Sequence, residues 1–226
     1  MSVYGGPDIV TDGLVLHLDA ANRKSYPLTG STWYDLSGNG NNATRYNATY
    51  SNNYFTFDGT DDFFVVPNNA SVTLNGSYLT LSAWVNVNNF VTGAFGTFLH
   101  KDLGYTIAFY DNKKITYADR SNWSYSNFGF YGNFVENTWY HIAAVKNGTN
   151  VTIYSNAEIV ISKTFGSAIN DIAARNLFIG AYGLDGINTG TNDFDGKISN
   201  AQIYNKALTA NEVQQNYNAL KGRFGL

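Results

Sequence analysis

The sequence predicts an all-β protein, a sandwich of two antiparallel sheets with one short C-terminal helix. The 226 residues include 17 Tyr, 15 Phe and 22 Gly but only three Pro, which is typical of strands joined by tight turns. Apolar and polar residues alternate with period two in many short segments, as expected for strands with one face in a core. Many short strands with turn signals between them favour a sandwich over alternating strands and helices.

The alternation defines about a dozen strand candidates along the chain. In order, they are Leu14–Leu18, Tyr54–Asp58, Phe63–Val66, Leu79–Val87, Gly96–His100, Tyr105–Tyr110, Ile115–Ala118, Trp139–Val145, Val151–Tyr154, Ile159–Lys163, Leu177–Ala181 and Lys197–Tyr204. Within each candidate, the apolar positions of one face are assigned to the core. The residues expected to face inward include Leu16, Phe57, Leu81, Val85, Val145, Ile153 and Ile203.

The only helix signal lies near the C-terminus. Thr209 and Glu212 form a capping-box pattern, in which each side chain can bind the other residue's backbone amide. Val213 and Tyr217 then fall on one side of a helix, and Gly222 provides a stop signal. The pattern predicts a helix over Thr209–Lys221.

Composition excludes several functional classes. With 14 Lys and Arg against 17 Asp and Glu, the chain lacks the basic face that a nucleic-acid-binding protein needs. It has no Cys, so thiol nucleophiles, thiolate metal sites and disulfides are excluded. No apolar run approaches the roughly 18–20 residues of a membrane span, so we expect no membrane insertion. No linker or break in composition interrupts the chain, and residues 1–226 are predicted to form a single domain.

A series of motifs carries a family resemblance. The motifs occur in the order Trp33–Asn42, Phe57–Phe63, Leu81–Val85, Trp139–Ala143, Phe194–Ile198 and Ile203–Thr209. This series resembles the laminin G-like, concanavalin A-like lectin/glucanase superfamily. The resemblance implies a jelly-roll β-sandwich with a concave face. The segments Gly13–Ala20 and Asn216–Leu226 are similar to domains found in structural proteins of tailed bacteriophages.

A loop rich in side-chain oxygens is the first candidate site. Asp35, Ser37, Asn39 and Asn41 stand at alternate positions with Gly40 among them, and oxygen ligands so spaced can surround Ca²⁺. The resemblance implies that a carboxylate from elsewhere completes the site, and Asp195 is the residue that we predict. The alternative is a turn whose side chains bind only its own backbone amides.

Two polar, aromatic segments are candidates for glycan binding. Sugars are bound by aromatic faces together with amide and hydroxyl groups, and loops on a rigid sandwich commonly carry such sites. The candidate residues are Trp123, Tyr125 and Asn127 in the first segment, and Tyr182, Asp185 and Asn188 in the second. The alternative is that Trp123 and Tyr125 pack over an edge of the sandwich.

The sequence gives little support for catalysis. Glycosidases of the superfamily use paired carboxylates, carried on a strand motif with two Glu five residues apart. This chain has only Glu136, Glu158 and Glu212, and none of them shares such a window. We therefore expect no enzymatic activity.

The expected function is a non-catalytic glycan-binding or cell-surface-binding domain, displayed as an adhesion or decoration protein on the virion of a tailed phage. Its expected partners are a cell-surface or capsular glycan and other virion proteins. The expected location is the virion surface, on the capsid or tail, or otherwise an extracellular one. The alternative is a purely structural capsid or tail attachment protein that binds no sugar.

Overall fold

We analysed the protein as a computed structural model, which describes residues 7–90, 94–110, 113–119, 130–164, 169–171, 174–184, 187–188 and 192–226. The strands in these ranges are β1 (Leu14–Asp19), β2 (Thr32–Trp33), β3 (Ala43–Tyr46), β4 (Thr49–Ser51), β5 (Tyr54–Asp58), β6 (Phe63–Val66), β7 (Asn75–Gly76), β8 (Tyr78–Val87), β9 (Phe95–Lys101), β10 (Tyr105–Tyr110), β11 (Lys114–Asp119), β12 (Phe130–Tyr131), β13 (Trp139–Asn147), β14 (Asn150–Ser155), β15 (Glu158–Thr164), β16 (Ile169–Asn170), β17 (Leu177–Ile179), β18 (Gly183–Leu184), β19 (Ile187–Asn188) and β20 (Asp195–Tyr204). The helix α1 (Ala210–Leu220) follows them, and 3₁₀ turns form at Ala70–Val72 and Lys221–Phe224.

Sixteen of these strands form two eight-stranded antiparallel sheets, and the other four pair as β7 with β16 and β18 with β19. Sheet A has the order β15-β14-β13-β8-β20-β5-β4, with β1 also paired to β20. Sheet B has the order β12-β11-β10-β9-β17-β6-β3-β2. The predicted all-β jelly-roll sandwich with a short C-terminal helix is confirmed.

The long strand β20 is divided by a bulge at Ser199. On one side it pairs with β8 from Gly196 to Tyr204, with the register shifted at this bulge. On its other side, the first half from Asp195 to Ile198 pairs with β5, and the second half from Asn200 to Tyr204 pairs with β1. The two ends of β20 therefore hold different segments of the early chain.

The core between the sheets is built by the alternation that the sequence predicts. On β8 the residues Leu79, Leu81, Ala83 and Val85 all face inward, and they belong to one large buried cluster. All the residues predicted to face inward lie in this cluster except Val145. Val145 is buried on the outer face of sheet A instead, in a second cluster that includes Val213 of α1. The prediction failed there because a helix covers the outer face, so apolar residues occupy both faces of β13.

The C-terminal segment covers the outer face of sheet A. The capping box is confirmed, with both Thr209–Glu212 hydrogen bonds present. The α-helix ends at Leu220 with Lys221 as its C-cap, just before Gly222, as predicted. The chain then continues as a 3₁₀ turn to Phe224, and the left-handed residue that closes it is Gly225, with a φ of 75°. Phe224 stacks on Trp84 of β8, with ring centroids 4.2 Å apart. In the part of the chain that the structure describes, no helix is long and apolar enough to span a bilayer.

Candidate functional site

A small cavity lies on the outer face of sheet B. It has a volume of about 120 Å³, and its lining residues are Phe95, Thr97, Thr106, Tyr182 and Asn192. Phe95 and Thr97 belong to β9 and Thr106 to the adjacent β10. Side chains alternate along a strand, so the neighbouring Phe98 and Ile107 point into the core while Thr97 and Thr106 point away from it. The cavity thus combines two aromatic walls with hydroxyl and amide groups.

Backbone hydrogen bonds fix the segment that carries Asn192. The amide of Thr97 donates to Asn192 O at 3.1 Å, and the amide of Phe194 donates to Gly180 O at 2.9 Å. The side chain of Asn192 accepts from the amide of Phe95 at 3.2 Å. This segment is therefore held between β9 and the end of β17, and the cavity wall is anchored to the sheet.

One hydroxyl in the cavity lacks a partner. Thr97 Oγ1 is buried and makes no hydrogen bond, and Thr116 Oγ1 is also buried without a hydrogen-bond partner. The two residues face the same way, since both pair with Ala108 across the sheet. Buried polar groups in proteins are nearly always hydrogen-bonded, because an unmet hydroxyl costs about 1–3 kcal/mol. An unmet hydroxyl in a cavity is a group that a ligand or water can satisfy.

A neutral histidine orients the hydroxyl of Thr106, the other threonine of the cavity wall. His100 Nε2 lies 2.9 Å from Gly183 O, which can only accept, so this nitrogen carries the proton. His100 Nδ1 then accepts the hydroxyl hydrogen of Thr106. Burial lowers the pKa of His100 to about 3, which keeps the ring neutral in this arrangement. The Tyr182 ring stacks on His100 at 4.3 Å, so the aromatic wall is also fixed in place.

Only part of the predicted glycan-binding set can be placed. Tyr182 lies in the cavity wall. Asn188 belongs to β19, which pairs with β18. The other predicted residues, Trp123, Tyr125, Asn127 and Asp185, lie outside the described residues. Sequence reasoning missed Phe95, Thr97 and Thr106, whereas Asn192 belongs to the same polar segment as the predicted Tyr182, Asp185 and Asn188. Alternation could have shown that the two Thr residues face away from the core, but not that β9, β10 and residue 182 are neighbours.

The predicted calcium loop is closed by its own hydrogen bonds. The Asp35 carboxylate accepts from the backbone amides of His17, Ser37 and Asn41 and from the Ser37 hydroxyl, at 2.7–3.0 Å. These four bonds occupy its lone-pair positions. The Asn41 amide group donates to Val15 O and exchanges hydrogen bonds with Ser71, and Asn39 donates to Leu14 O. This geometry favours the turn alternative.

The structure does not bring Asp195 to this loop. Asp35 is bound to His17, which pairs with Gln202 on the second half of β20. Asp195 lies on the first half and pairs with Asp58. Seven residues of strand separate the two positions, or roughly 20 Å at the usual rise. The predicted ligand set is therefore not assembled, while calcium binding by the protein stays a prediction.

A group of three carboxylates lies beside Asp195 instead. Oxygen atoms of Asp58, Asp61 and Asp62 all come within 4.8 Å of one another. Burial raises the pKa of Asp62, against a lowering by its hydrogen bond from the Asp58 amide, and the charges of Asp58 and Asp61 raise it further. Asp58 accepts from the amide of Thr60, and Asp61 accepts from Asn47. These bonds describe a tight, solvent-facing turn.

Two stacked antiparallel sheets, with an aromatic and hydroxyl-lined cavity on the outer face of one, define a lectin-like β-sandwich. The chain belongs to the concanavalin A-like lectin/glucanases superfamily, whose sequence model matches residues 57–214. None of the curated proteins matches the chain.

Solved structures with this fold include carbohydrate-active proteins and the binding domain of a mosquitocidal protein. Trypanosoma rangeli sialidase, in complex with 2,3-difluorosialic acid, has a TM-score of 0.70 and 17% identity over 96% of this chain and 35% of its own. Domain 4 of the extracellular arabinanase AbnA of Geobacillus stearothermophilus, in complex with arabinotriose, has a TM-score of 0.66 and 18% identity over 90% of this chain and 98% of its own. The binding domain of Paraclostridial Mosquitocidal Protein 1 has a TM-score of 0.64 and 21% identity over 92% of this chain and 52% of its own. At these identities the likeness shows the fold, and the chain spans about a third of the sialidase.

Proposed function

We propose that this protein is a non-catalytic carbohydrate-binding domain, and that the cavity beside Tyr182 receives the sugar. The observation that carries the proposal is the buried Thr97 hydroxyl, which has no hydrogen-bond partner and lies in a cavity walled by Phe95 and Tyr182. Ligand sites of this kind combine apolar or aromatic walls with a few fixed polar groups. A sugar ring offers apolar C–H groups to the aromatic walls and hydroxyls to Thr97 and Asn192.

The positions of the three glutamates support a non-catalytic role. Glu136 accepts a hydrogen bond from the Phe90 amide in a loop, and Glu158 lies at the start of β15. Glu212 belongs to the capping box of α1 and binds Lys206 at 2.7 Å. These three carboxylates have separate structural surroundings, whereas glycosidases of the usual type need two carboxylates flanking one bond.

The biological setting that we propose is the surface of a tailed-phage virion, where the domain would bind a cell-surface or capsular glycan. The support is the resemblance of Gly13–Ala20 and Asn216–Leu226 to phage structural proteins. The alternative is an attachment role on the capsid or tail without sugar binding. Mass spectrometry of purified particles tests the setting, and glycan binding separates the two roles.

The binding test uses a glycan array followed by calorimetry on the best ligand. Tyr182→Ala removes an aromatic wall and should lower affinity at least tenfold. Thr97→Val removes only the unmet hydroxyl, so affinity should fall about five- to tenfold while the free energy of unfolding stays equal or rises. Tyr78→Ala, at an exposed aromatic outside the cavity, is the matched control. Absence of binding to any bacterial surface glycan, or full binding by both cavity variants, would overturn the proposal.

A further inference from the structure

A second cavity lies on the opposite side of the sandwich, at the edge of the outer face of sheet A. Its volume is about 160 Å³, several times the roughly 30 Å³ that one water occupies in the liquid. Its wall combines the β4–β5 turn, the start of β13, the bulge of β20 and the last 3₁₀ turn. The lining residues are Asn52, Asn53, Tyr54, Trp139, Ser199, Arg223 and Phe224.

Three aromatic rings form one wall of this second cavity. Trp139 lies 5.6 Å from Tyr54 and 4.7 Å from Phe224, measured between ring centroids. Phe224 is in turn stacked on the fully buried Trp84. The ring faces are therefore held by the core of sheet A, and they offer an apolar surface at a point where solvent can enter.

The polar wall is also fixed before any ligand binds. Asn52 and Asn53 both adopt the left-handed backbone conformation, with φ values of 46° and 72°, and Ser199 Oγ donates to Asn53 O at 2.7 Å. Arg223 Nη1 binds both oxygens of the buried Asp19, at 2.7 and 2.9 Å. A site held in this way loses little conformational freedom on binding, which favours affinity.

An unmet acceptor lies next to Trp139. Asn86 stands directly opposite Trp139 in the β8–β13 ladder, so the two side chains share the outer face of sheet A. Asn86 is only 3% exposed, and its Oδ1 has no hydrogen-bond partner. Lys197, also opposite Asn86, extends over the Tyr54 ring at 5.7 Å. The region thus combines the aromatic faces and amide groups of the cavity wall with a buried unmet acceptor and a lysine that lie beside it.

We propose that this cavity is a second carbohydrate-binding site, which accepts a single neutral or acidic sugar ring. The three aromatic rings would receive the apolar face of the sugar, and Asn52, Asn53 and Arg223 would bind its hydroxyl or carboxylate groups. Lys197 disfavours an amino sugar with a free ammonium group, whereas the charge of Arg223 is balanced by Asp19. The inference rests on the proposed function, since it extends sugar binding from the Tyr182 cavity to the other face. Two sites on opposite faces let one domain bridge two glycan chains, which raises avidity.

The test titrates the full chain with glucose, galactose, arabinose and sialic acid while recording NMR spectra of the indole and backbone amides. Trp139→Ala should remove the second site, with at least a tenfold loss of affinity there. Asn53→Gly deletes an amide while keeping the left-handed backbone accessible, and it should weaken the same site. Asn47→Gly is the matched control, because Asn47 has a φ of 53° and lies outside this cavity.

The outcomes distinguish this inference from the proposed function. Two binding events, one lost with Tyr182→Ala and the other with Trp139→Ala, support both. One event that Tyr182→Ala removes and Trp139→Ala leaves intact overturns the second site alone. One event that Trp139→Ala removes and Tyr182→Ala leaves intact overturns the Tyr182 site alone. Absence of any shift near either cavity, in folded protein, overturns both.

Discussion

Lys146 of sheet A and Asp119 of sheet B form an ion pair that joins the two sheets inside the sandwich. Lys146 Nζ lies 3.0 Å from Asp119 Oδ2, and both side chains are fully buried. The hydroxyl of Tyr117 donates to the same carboxylate oxygen at 2.9 Å. Taking two charges out of water is expensive, and their mutual attraction and the hydrogen bond from Tyr117 help to offset that cost. The pair therefore fixes how the sheets align at this edge.

Removing one partner of this pair should be strongly destabilising. Lys146→Met removes the ammonium group that lies 3.0 Å from the buried Asp119 carboxylate, and we expect a loss of about 3–5 kcal/mol in the free energy of unfolding. For a chain of this length, that loss lowers Tm by about 10 °C. The double variant Lys146→Met with Asp119→Leu should recover much of the loss, because no unpaired charge remains. Chemical denaturation measures all three, and a single-variant loss below about 1 kcal/mol would contradict the argument.

Acid should destabilise the protein through its buried histidines. Burial lowers the pKa of both His100 and His141 to about 3, whereas an unfolded histidine titrates near 6.5. Between pH 3 and pH 6.5, the unfolded state therefore binds more protons than the folded state. The free energy of unfolding is highest above pH 6.5, where the histidines are neutral in both states, and it decreases as the pH falls toward 3. Each histidine contributes a slope of up to about 1.4 kcal/mol per pH unit.

Single glutamine variants test this pH dependence. His100→Gln or His141→Gln removes one titrating group, so the fall in the free energy of unfolding between pH 6.5 and pH 4 should be smaller than in the wild type. The comparison is between slopes, which do not depend on the stability of each variant at neutral pH. Equal slopes in the wild type and both variants would refute the assignment.

Gly180 is required by the core as well as by its backbone conformation. Its φ is 85°, and a Cβ at this position would overlap the ring of the buried Phe57. Gly148 has a φ of 63° with open space around it, so it isolates the backbone effect. Gly148→Ala should cost about 1 kcal/mol, while Gly180→Ala should add an overpacking cost of about 1–3 kcal/mol. Equal losses in thermal unfolding would mean that Phe57 moves aside freely.

Local alternation predicted the long strands because each has one face in the core. Each of the twelve predicted strands occurs, whereas eight other strands of the described residues were missed, among them the two-residue Thr32–Trp33 and the polar Ala43–Tyr46. Such strands are held by pairing with their neighbours and have too few residues to show a period. The position of Val145 was missed for a related reason, since a distant helix covers it.

The candidate site was harder to predict because it depends on contacts between distant segments. Tyr182 could be selected as an aromatic residue in a polar segment, but its cavity is completed by Thr97 and Thr106 of two strands. The second cavity joins Asn53 to Phe224, which only the folded chain brings together. The Asp35 loop shows the opposite case. Its spacing was read correctly as a cluster of oxygens, and three of the four donors that Asp35 meets belong to the loop itself. The fourth donor is the amide of His17 on β1, a contact that no spacing rule could show.

The last prediction concerns the Asp35 loop. Asp35→Asn keeps the size of the side chain but replaces an acceptor oxygen by a donor, so it leaves amides of the loop unmet. Hydrogen bonds to a charged group contribute about 1.5–3 kcal/mol each, and we expect a loss of about 2–3 kcal/mol in the free energy of unfolding. If the loop is a turn, the loss is the same with calcium and with a chelator. An ion held only by the folded state would instead lower the wild-type Tm on chelation by several degrees, and Asp35→Asn would abolish that response. Asp195→Asn is the matched variant. Because Asp195 lies at the other end of β20, we expect Asp195→Asn to leave any change of Tm on chelation as it is in the wild type. If both variants abolished that change, Asp35 and Asp195 would share one calcium site, as the sequence predicts.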